Sequence, residues 1–520
     1  MADNTVLLKF NGGTVGTNNA PNLTRSFRLE FRQDTIVEGE EVVRAALGTL
    51  TAATAGLEPR INSNAADDSR DVTIMITEGG NRTDSASVTL APVGPSSRAE
   101  NSGPTVFKAT LNGVVEGGFE VAGFSVVDGL STQVQRTEGT TDYSFTSVPL
   151  LFLPSDSHFV TNGTFADLTV TIVDDSVVEL DEQYQVNLGA IIGTTGLSFN
   201  PAIGPARIAT QGTTGIIEND DTVITITRIV ADDPSITSVS DYNGRANAQP
   251  TTQPTNSYSL REAILLSNAA RGTQRIIFAD SLADVGSPTF AGQFATGVEV
   301  GTVTLKGSLP AITAPLEITG PTNSRPADML KIIPEKIPGT NNRRPFSLLD
   351  VSVTSPNVSD QTIISGLNFT EVVGAGASAV TIRNSRNVAI NTSMFTFNQS
   401  TAATGTTARG AALLIADSTG VKISGSTFWS NIVRRATGTA AFGGAVAVNG
   451  TAATDVLIEN STFFRNDADT SGGALHISNP NATVTLNHVT AADNVAYTAT
   501  GAAAIDRTAA ASLAIRNSIV

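Results

Sequence analysis

The 520-residue sequence contains no cysteine, which excludes disulfide bonds and thiolate metal sites. Aromatic residues make up only 5% of the chain, with a single tryptophan. Basic residues are outnumbered by acidic ones, 32 against 48, and the net charge of −16 disfavours nucleic acid and anionic membranes as partners. This acidity suits a protein that binds divalent cations. So long a cysteine-free chain fits a large bacterial surface protein better than a small secreted scaffold.

Long hydrophobic runs are also missing. No stretch approaches the roughly 20 apolar residues that a transmembrane helix needs. The N-terminus, MADNTVLLKFNGG, has neither the basic start nor the apolar run of a signal peptide, so export would depend on another signal, such as a C-terminal one outside this chain. Because the sequence stops inside a repeat, we expect it to be part of a longer protein or to be capped by a partner.

A repeat dominates the chain from residue 377 onward. The blocks FTFN, TFWSN, TFFRN and TAADN recur at intervals of about 28–35 residues. A unit this small, made of short apolar strands without an amphipathic helix, must bury its apolar face against its neighbours. The pattern predicts one coil of a parallel β-helix per repeat, with tight corners at the glycine pairs 443–444 and 472–473. The side chains expected to point inward are Val421, Ile423, Val456, Ile458, Val484 and Leu486.

Each block ends on an asparagine, and these residues have two interpretations. They are Asn398, Asn431, Asn466 and Asn494. Stacked at one corner, their amides would form an internal hydrogen-bonded ladder. Asparagine is also a turn former that tolerates left-handed backbone geometry, and the sequence leaves both interpretations open.

Residues 223–520 open on a segment that predicts a capping helix over residues 257–268. Ser259 and Glu262 have the spacing of a capping box, and we expect Ile264 and Leu265 to face inward. The phrase NSYSLREAILLSN resembles the SLREAI segment that opens many bacterial right-handed parallel β-helix domains, with pectate-lyase-like or polymorphic outer-membrane-protein-like repeats. The resemblance implies that fold for residues 223–520. Residues 326–345, rich in lysine and arginine, are interpreted as a solvated loop.

Residues 87–222 place acidic pairs at the ends of predicted strands. The phrases TTDYSF, TVTIVDDSVVELDEQYQVNLG and TTGIIENDD follow one another in this order and resemble a Calx-beta repeat. The resemblance implies a seven-stranded antiparallel β-sandwich that holds Ca²⁺ at one end. The ligands it implies are Glu100, Asp142, Asp174, Asp175, Glu179, Asp220 and Asp221.

The physical chemistry of these acids agrees with the resemblance. Asp174 and Asp175 follow one predicted strand and Asp220 and Asp221 another, so strand ends would gather several carboxylates, whose repulsion Ca²⁺ would remove. The alternatives are that the acids are solvated turn residues, or that the last pair marks a domain junction. Residues 1–86 are predicted to form a partial or divergent sandwich of the same kind, in which the VDD partner of the acidic block is missing.

Enzymatic activity on the β-helix must be weighed, because polysaccharide lyases and hydrolases use this scaffold. Such enzymes need clustered or paired carboxylates, whereas here the acids are scattered, and the best pairing is Asp467 with Asp493 near Arg465. His476 and the similarly isolated His488 are expected at the surface. No Walker, Rossmann, zinc-ligand or nucleophile-elbow motif is present. Trp429 is the aromatic residue expected to be exposed for a sugar contact.

These observations predict an extracellular structural or adhesive protein of a bacterial cell surface, stabilised by Ca²⁺ and not an enzyme. Copies of the chain are the expected partners, assembled head to tail into a filament or surface layer through residues 5–10 or the terminal coil. The alternatives are a carbohydrate-active β-helix enzyme and a module that binds extracellular polysaccharide. No nucleic-acid partner and no membrane insertion are expected.

Overall fold

The computed structural model describes residues 28, 36–37, 41–46, 71–76, 86–128, 142–154, 159–176, 178, 180–192, 208–226, 232–239, 258–279, 282, 301–321, 329–355, 357, 359–498, 501–508 and 510–520. Within them the chain is almost all β, with mainly antiparallel sheets up to residue 218 and long parallel sheets from residue 223 onward. The predicted fold class, an antiparallel sandwich followed by a parallel β-helix, is confirmed. Residues 5–10 lie outside the described residues, and the bounds of the three domains remain predictions.

The sandwich has two main sheets. The first contains, in spatial order, β10 (Tyr143–Phe145), β13 (Phe165–Ile172), β6 (Thr105–Asn112), β4 (Ala86–Pro92) and β16 (Ile208–Thr210). The second contains β5 (Ser97–Ala99), β17 (Gly212–Glu218), β14 (Glu182–Leu188) and β9 (Phe124–Asp128). Buried and half-buried residues alternate along β4 and β6, as expected for strands with one face on a core. Phe107 of β6 meets Tyr184 of β14 edge to face, with ring centroids 6.2 Å apart, so the core lies between the two sheets.

The expectation of seven antiparallel strands is wrong in detail. The described parts of the two sheets hold five and four strands, and β16 on β4 and β5 on β17 are parallel pairs. Smaller sheets flank them: β1 (Ile36–Val37) with β7 (Val114–Glu116) and β12 (Phe159–Val160), and β11 (Leu150–Phe152) with β8 (Phe119–Val121) and β15 (Ile191–Ile192). β2 (Glu41–Ala46) pairs with β3 (Asp71–Ile76) as an antiparallel ribbon.

The β-helix is built from parallel sheets that run along its axis. The longest described contains β18 (Val223–Ile226), β19 (Gln274–Phe278), β21 (Leu316–Thr319), β24 (Thr362–Ser365), β28 (Val388–Asn391), β33 (Val421–Ser424), β38 (Thr454–Glu459), β42 (Ala482–Asn487) and β46 (Ser512–Arg516). The next contains β20 (Thr302–Leu305), β22 (Leu330–Pro334), β25 (Leu367–Thr370), β29 (Met394–Thr396), β34 (Thr427–Trp429), β39 (Thr462–Phe464) and β43 (Thr490–Ala492).

Two further sheets complete each coil, and a short pair adds a layer. A six-stranded sheet contains β23 (Leu349–Val351), β27 (Val380–Arg383), β32 (Leu413–Ala416), β37 (Val446–Asn449), β41 (Leu475–Ile477) and β45 (Ile505–Arg507). A five-stranded sheet contains β26 (Val373–Ala375), β30 (Gln399–Thr401), β35 (Ile432–Arg434), β40 (Asp467–Ala468) and β44 (Val495–Ala496). The short pair consists of β31 (Thr407–Arg409) and β36 (Ala440–Phe442).

Successive coils stack like on like. All six side chains predicted to point inward are buried, and they pair in register across β33, β38 and β42. Inside the helix Phe369, Phe395, Phe428 and Phe463 form one column, with ring centroids 5.4, 4.9 and 4.7 Å apart. Gly443 and Gly472 have φ values of 64° and 68°, and a Cβ at either would collide with a backbone carbonyl. The predicted glycine corners are therefore confirmed.

The asparagines form the ladder. The side-chain amides of Asn398, Asn431 and Asn466 each donate to the side-chain oxygen of the next asparagine, ending at Asn494, over 2.9 Å in every step. The left-handed residue of each corner comes one position earlier: φ is 56° at Phe397, and the equivalent residues of the next three coils match it. The asparagines therefore act as the ladder, and their neighbours make the turn.

The capping helix α1 (Leu260–Ala269) begins with the predicted capping box. Ser259 Oγ accepts from the Glu262 amide, and the Glu262 carboxylate accepts from the Ser259 amide at 2.8 Å. Ile264 is buried as expected, but Leu265 is only half-buried and Leu266 lies in the core instead. The buried face of α1 therefore includes Ile264 and Leu266 in place of the predicted Ile264 and Leu265.

The interpretation as a solvated loop holds for exposed residues 336–342 but is wrong for the strand within residues 326–345. Their described part includes β22, which is a strand of the seven-stranded sheet between β20 and β25. Arg343 is buried and forms an ion pair with Glu371 at 2.6 Å. The basic residues of this segment indicate a loop, but β22 also carries Leu330 and Ile332, which are buried and fill the coil.

Candidate metal centre

Three strand ends of the sandwich meet at one point. Glu100 begins a 3-10 turn (Glu100–Ser102) directly after β5, and Asp221 follows the end of β17, which pairs with β5 in register. Asp175 follows β13 of the other sheet. β10 pairs with β13, and the Val173 amide donates to the Asp142 carbonyl at 2.9 Å, so the start of β10 reaches the same end. Both sheets therefore contribute acids to one end of the sandwich.

Glu100, Asp175 and Asp221 each offer a carboxylate oxygen, and these oxygens lie within 4.8 Å of one another. In the part of the chain that the structure describes, this is the one group of three such residues found. Ca²⁺ binds oxygen at about 2.3–2.6 Å, so two ligands of one ion are separated by at most about 5 Å. The spacing of the three carboxylates fits a shared calcium ion.

Burial and mutual repulsion disfavour the charged form of these carboxylates. Glu100 is only 5% exposed, and its burial, followed by repulsion from Asp221, Asp175 and two further aspartates, raises its pKa to about 8. Burial also raises the pKa of Asp221, with repulsion from Asp220, Asp175 and Asp174 adding to the shift. Without a cation the site must take up protons or tolerate repulsion.

Two buried carboxylate oxygens reveal what the site needs. Asp220 Oδ1 and Asp221 Oδ2 are buried and accept no hydrogen bond from the described residues. The Asn219 side chain holds this loop by donating to the backbone carbonyl of Asp221 at 2.8 Å. This bond does not use the carboxylate oxygens of Asp221. Buried acceptors without donors are costly, and a hard cation with several oxygen ligands would satisfy them. The residues present therefore fit Ca²⁺.

The structure accounts for the predicted ligands in three groups. It brings together Glu100, Asp175 and Asp221 as the core of the cluster. It places Asp142, Asp174 and Asp220 close enough to influence the pKa of a core member. Glu179 lies outside the described residues.

An ion-pair bridge beside the cluster was not anticipated from the sequence. Arg271, in the turn after α1, contacts Asp181 at 3.0 Å and Glu218 at 2.6 Å. Asp181 also accepts from the Asn219 amide at 3.3 Å. Asp181 and Glu218 lie in the acidic phrases VELDE and IIENDD of the sequence, but no local pattern indicates an arginine from another element. The bridge ties the loop that carries Asp221 to the cap of the β-helix, whose core also takes in Val178.

The prediction that His476 lies at the surface is wrong, because the residue is buried on the six-stranded sheet. Its ring stacks on Phe442 of β36 with centroids 4.3 Å apart, and its Nε2 lies 3.6 Å from Asp506. Burial lowers the pKa of His476 to about 4; Asp506 opposes this shift and Arg409 adds to it. The histidine is therefore a neutral, covered side chain at neutral pH.

Each of the two acids weighed for catalysis has an arginine partner. Asp467 lies 3.8 Å from Arg434, and Asp493 lies 3.9 Å from Arg465. Trp429 is exposed as predicted.

Comparison with known proteins gives a partial likeness. No protein-family model matches the chain, and no curated protein sequence matches it. The crystal structure of the apo-form Calx CBD1 domain is similar at 18% identity, covering 26% of this chain and 98% of that domain, with a TM-score of 0.18. CBD12 from CALX1.2 is similar at 19% identity, covering 28% of this chain and about half (52%) of its own, also with a TM-score of 0.18. Likenesses at such values carry no function over to this chain.

No helix in the described ranges is long and apolar enough to span a bilayer.

Proposed function

We propose that the protein is an extracellular structural or adhesive protein of a bacterial cell surface, whose sandwich is stabilised by Ca²⁺. The observation that carries the proposal is the carboxylate cluster. Its member Glu100 is buried, it draws acids from both sheets, and Asp220 and Asp221 each have a buried carboxylate oxygen that accepts no hydrogen bond from the described residues. Extracellular fluids hold calcium at concentrations that fill sites of moderate affinity, with dissociation constants of about 10⁻⁴–10⁻³ M.

The ion would be held by Glu100, Asp175 and Asp221, and would supply the positive charge that the cluster lacks. This charge would remove the repulsion between strand ends and fix the loop after β17. Arg271 contacts Glu218, the last residue of β17, and Asp181, which accepts from the Asn219 amide of the loop, so an ordered metal site would also support the junction with the β-helix. The solenoid then serves as a stiff extension, since each coil is held by its neighbours.

A structural role is favoured over the enzymatic alternative by the pairing of the surface acids. Asp467 and Asp493, the best candidates for a carboxylate pair, lie near Arg434 and Arg465. Glycoside hydrolysis needs two carboxyl groups that face each other across a substrate with different proton affinities. An arginine partner at each acid favours a structural role for both carboxylates.

The test is thermal unfolding of the full chain in Ca²⁺ and in EDTA. Calcium at 100 times its dissociation constant would add about 2.7 kcal/mol to the free energy of unfolding of the sandwich. The double substitution Asp220→Asn and Asp221→Asn should remove the response. Asp167→Asn, on the exposed side of β13, is the matched control and should keep it. An identical melting curve in both solutions would show that the sandwich does not bind calcium.

The assembly part of the proposal has its own test. We propose that copies associate head to tail, through residues 5–10 or the terminal coil, into a filament or layer. Sedimentation and electron microscopy in Ca²⁺, with the full chain and a chain lacking residues 1–24, would examine this. Monodisperse monomers for both forms would rule out assembly through the N-terminal segment.

A further inference from the structure

In the described part of the β-helix, the exposed aromatic side chains lie at one corner and on the five-stranded sheet beside it. Phe397, Trp429 and Tyr497 are 50%, 37% and 60% exposed. All other aromatic residues described between positions 223 and 520 are buried or half-buried. Phe397 and Trp429 lie where the seven-stranded sheet turns into the five-stranded sheet, beside the asparagine ladder, whereas Tyr497 directly follows β44 of the five-stranded sheet. In a chain with so few aromatics, this concentration at one corner and the adjoining sheet calls for an explanation.

The exposed rings do not stabilise the solenoid core. That task belongs to the inward column, in which Phe395 and Phe428 are fully buried. The outward rings instead form a surface across neighbouring coils. Phe397 contacts Trp429 with ring centroids 4.9 Å apart, and Trp429 pairs in register with half-buried Phe464. These three rings lie on three successive coils, and Tyr497 lies on the fourth coil, across the five-stranded sheet from the turn. The four residues Phe397, Trp429, Phe464 and Tyr497 are together called the aromatic corner.

Charged groups border the aromatic corner, and ion pairs hold them in place. Arg434 lies 3.0 Å from Asp469 and has its guanidinium 5.4 Å from the centre of the Tyr497 ring. The Tyr497 hydroxyl donates to Asp467 at 3.3 Å. On the other side, the Arg465 guanidinium lies 4.8 Å from the centre of the Phe464 ring. Donors and acceptors are thus fixed before any ligand arrives, which limits the entropy lost on binding.

The charges along the corner balance. Three arginines, at positions 434, 435 and 465, stand against three aspartates, at positions 467, 469 and 493. An anionic or cationic ligand would be better served by charges of one sign. An aliphatic surface such as a lipid tail would gain nothing from ordered ion pairs. The arrangement suits an uncharged ligand that has both an apolar face and many hydroxyl groups.

We propose that the aromatic corner binds a neutral polysaccharide, a function separate from the calcium site and independent of it. The C–H face of a pyranose ring packs on an aromatic ring, and its hydroxyl groups both donate to carboxylates and accept from guanidinium groups. Coils repeat at about 4.8 Å, so an extended chain lying along the solenoid axis meets a new part of the corner on each coil. The net charge of −16 would repel acidic polysaccharides at long range.

Trp429 is the only tryptophan of the chain, so its fluorescence reports on this corner directly. The calcium-saturated full chain would be titrated with soluble galactomannan, xyloglucan and mixed-linkage β-glucan, and with polygalacturonate as the acidic probe. We expect a saturable change in emission with at least one neutral polysaccharide and none with polygalacturonate. Affinity electrophoresis in the same neutral polysaccharide should show binding at least about tenfold weaker for Trp429→Ala and Tyr497→Ala.

Phe165→Ala is the matched control, since Phe165 is an exposed aromatic on the sandwich and its loss should leave binding unchanged. Melting curves would confirm that each variant folds. The proposal is overturned if none of the neutral polysaccharides binds, if polygalacturonate binds more tightly, or if Trp429→Ala binds as well as the parent chain. It is also overturned if Trp429 emission changes with protein concentration alone, which would assign the corner to a second copy of the chain.

Discussion

Replacing Asn466 with alanine should destabilise the β-helix strongly, because Asn466 sits in the middle of the ladder. Its side chain takes part in four hydrogen bonds: it accepts from the backbone and side-chain amides of Asn431 at 3.0 and 2.9 Å, and donates to Phe428 and Asn494 at 3.0 and 2.9 Å. Each bond contributes about 0.5–1.5 kcal/mol, and a buried group left unpaired costs about 1–3 kcal/mol. The free energy of unfolding should fall by about 3–6 kcal/mol.

Urea unfolding followed by Trp429 emission measures this change, because the tryptophan lies on the coil that contains Asn431. Asn481→Ala is the control, since exposed Asn481 donates a side-chain hydrogen bond to Thr451 and should cost less than about 1 kcal/mol. If Asn466→Ala costs no more than the control, the ladder does not hold the coils together.

Three further substitutions test the packing and the titrating groups. Ile458→Asp, at a fully buried position, should lower the free energy of unfolding by several kcal/mol in urea titrations, whereas outward Leu457→Asp should not; equal costs would contradict the assigned strand faces. In EDTA, the raised pKa of Glu100 adds to the stability of the sandwich below pH 4.5. This added stability is lost as the pH rises through about 8. Melting temperatures of the parent chain should therefore fall relative to Glu100→Gln over that interval, and parallel curves would refute the assignment. The lowered pKa of His476 acts oppositely, costing stability as the pH falls from 6.5 to about 4. His476→Gln should lessen this loss in urea titrations, and an unchanged pH profile would argue against a buried neutral histidine.

The repeat made the β-helix predictable in detail. Side-chain alternation and the spacing of like residues identified the inward set from Val421 to Leu486, because each coil repeats the constraint of the one before it. The capping box at Ser259 is a contact within three residues and was equally visible. The asparagines were recognised as a corner feature, but choosing between ladder and turn required the backbone angles of Phe397 and its equivalents.

What escaped prediction depends on contacts between distant segments. His476 looked exposed because its own strand shows no acid or aromatic neighbour, yet β36 folds over the sheet and covers it with Phe442. β22 looked like a loop because its neighbours carry charge, although Arg343 finds Glu371 on another coil.

The metal site shows the same division. The acids after β13 and β17 were found from strand ends, whereas the bridge of Arg271 to Asp181 and Glu218 joins two elements that no local pattern connects.

Titration calorimetry of the EDTA-treated, dialysed full chain with Ca²⁺ at pH 7 tests the central claim most directly. The account predicts saturable binding with release of protons, measured by repeating the titration in buffers of different ionisation enthalpy, because Glu100 with a pKa of about 8 must lose its proton to bind the ion. Asp221→Asn should abolish this binding. No saturable heat in the parent chain, or equal binding in Asp221→Asn, would contradict the assignment of these carboxylates as a calcium site.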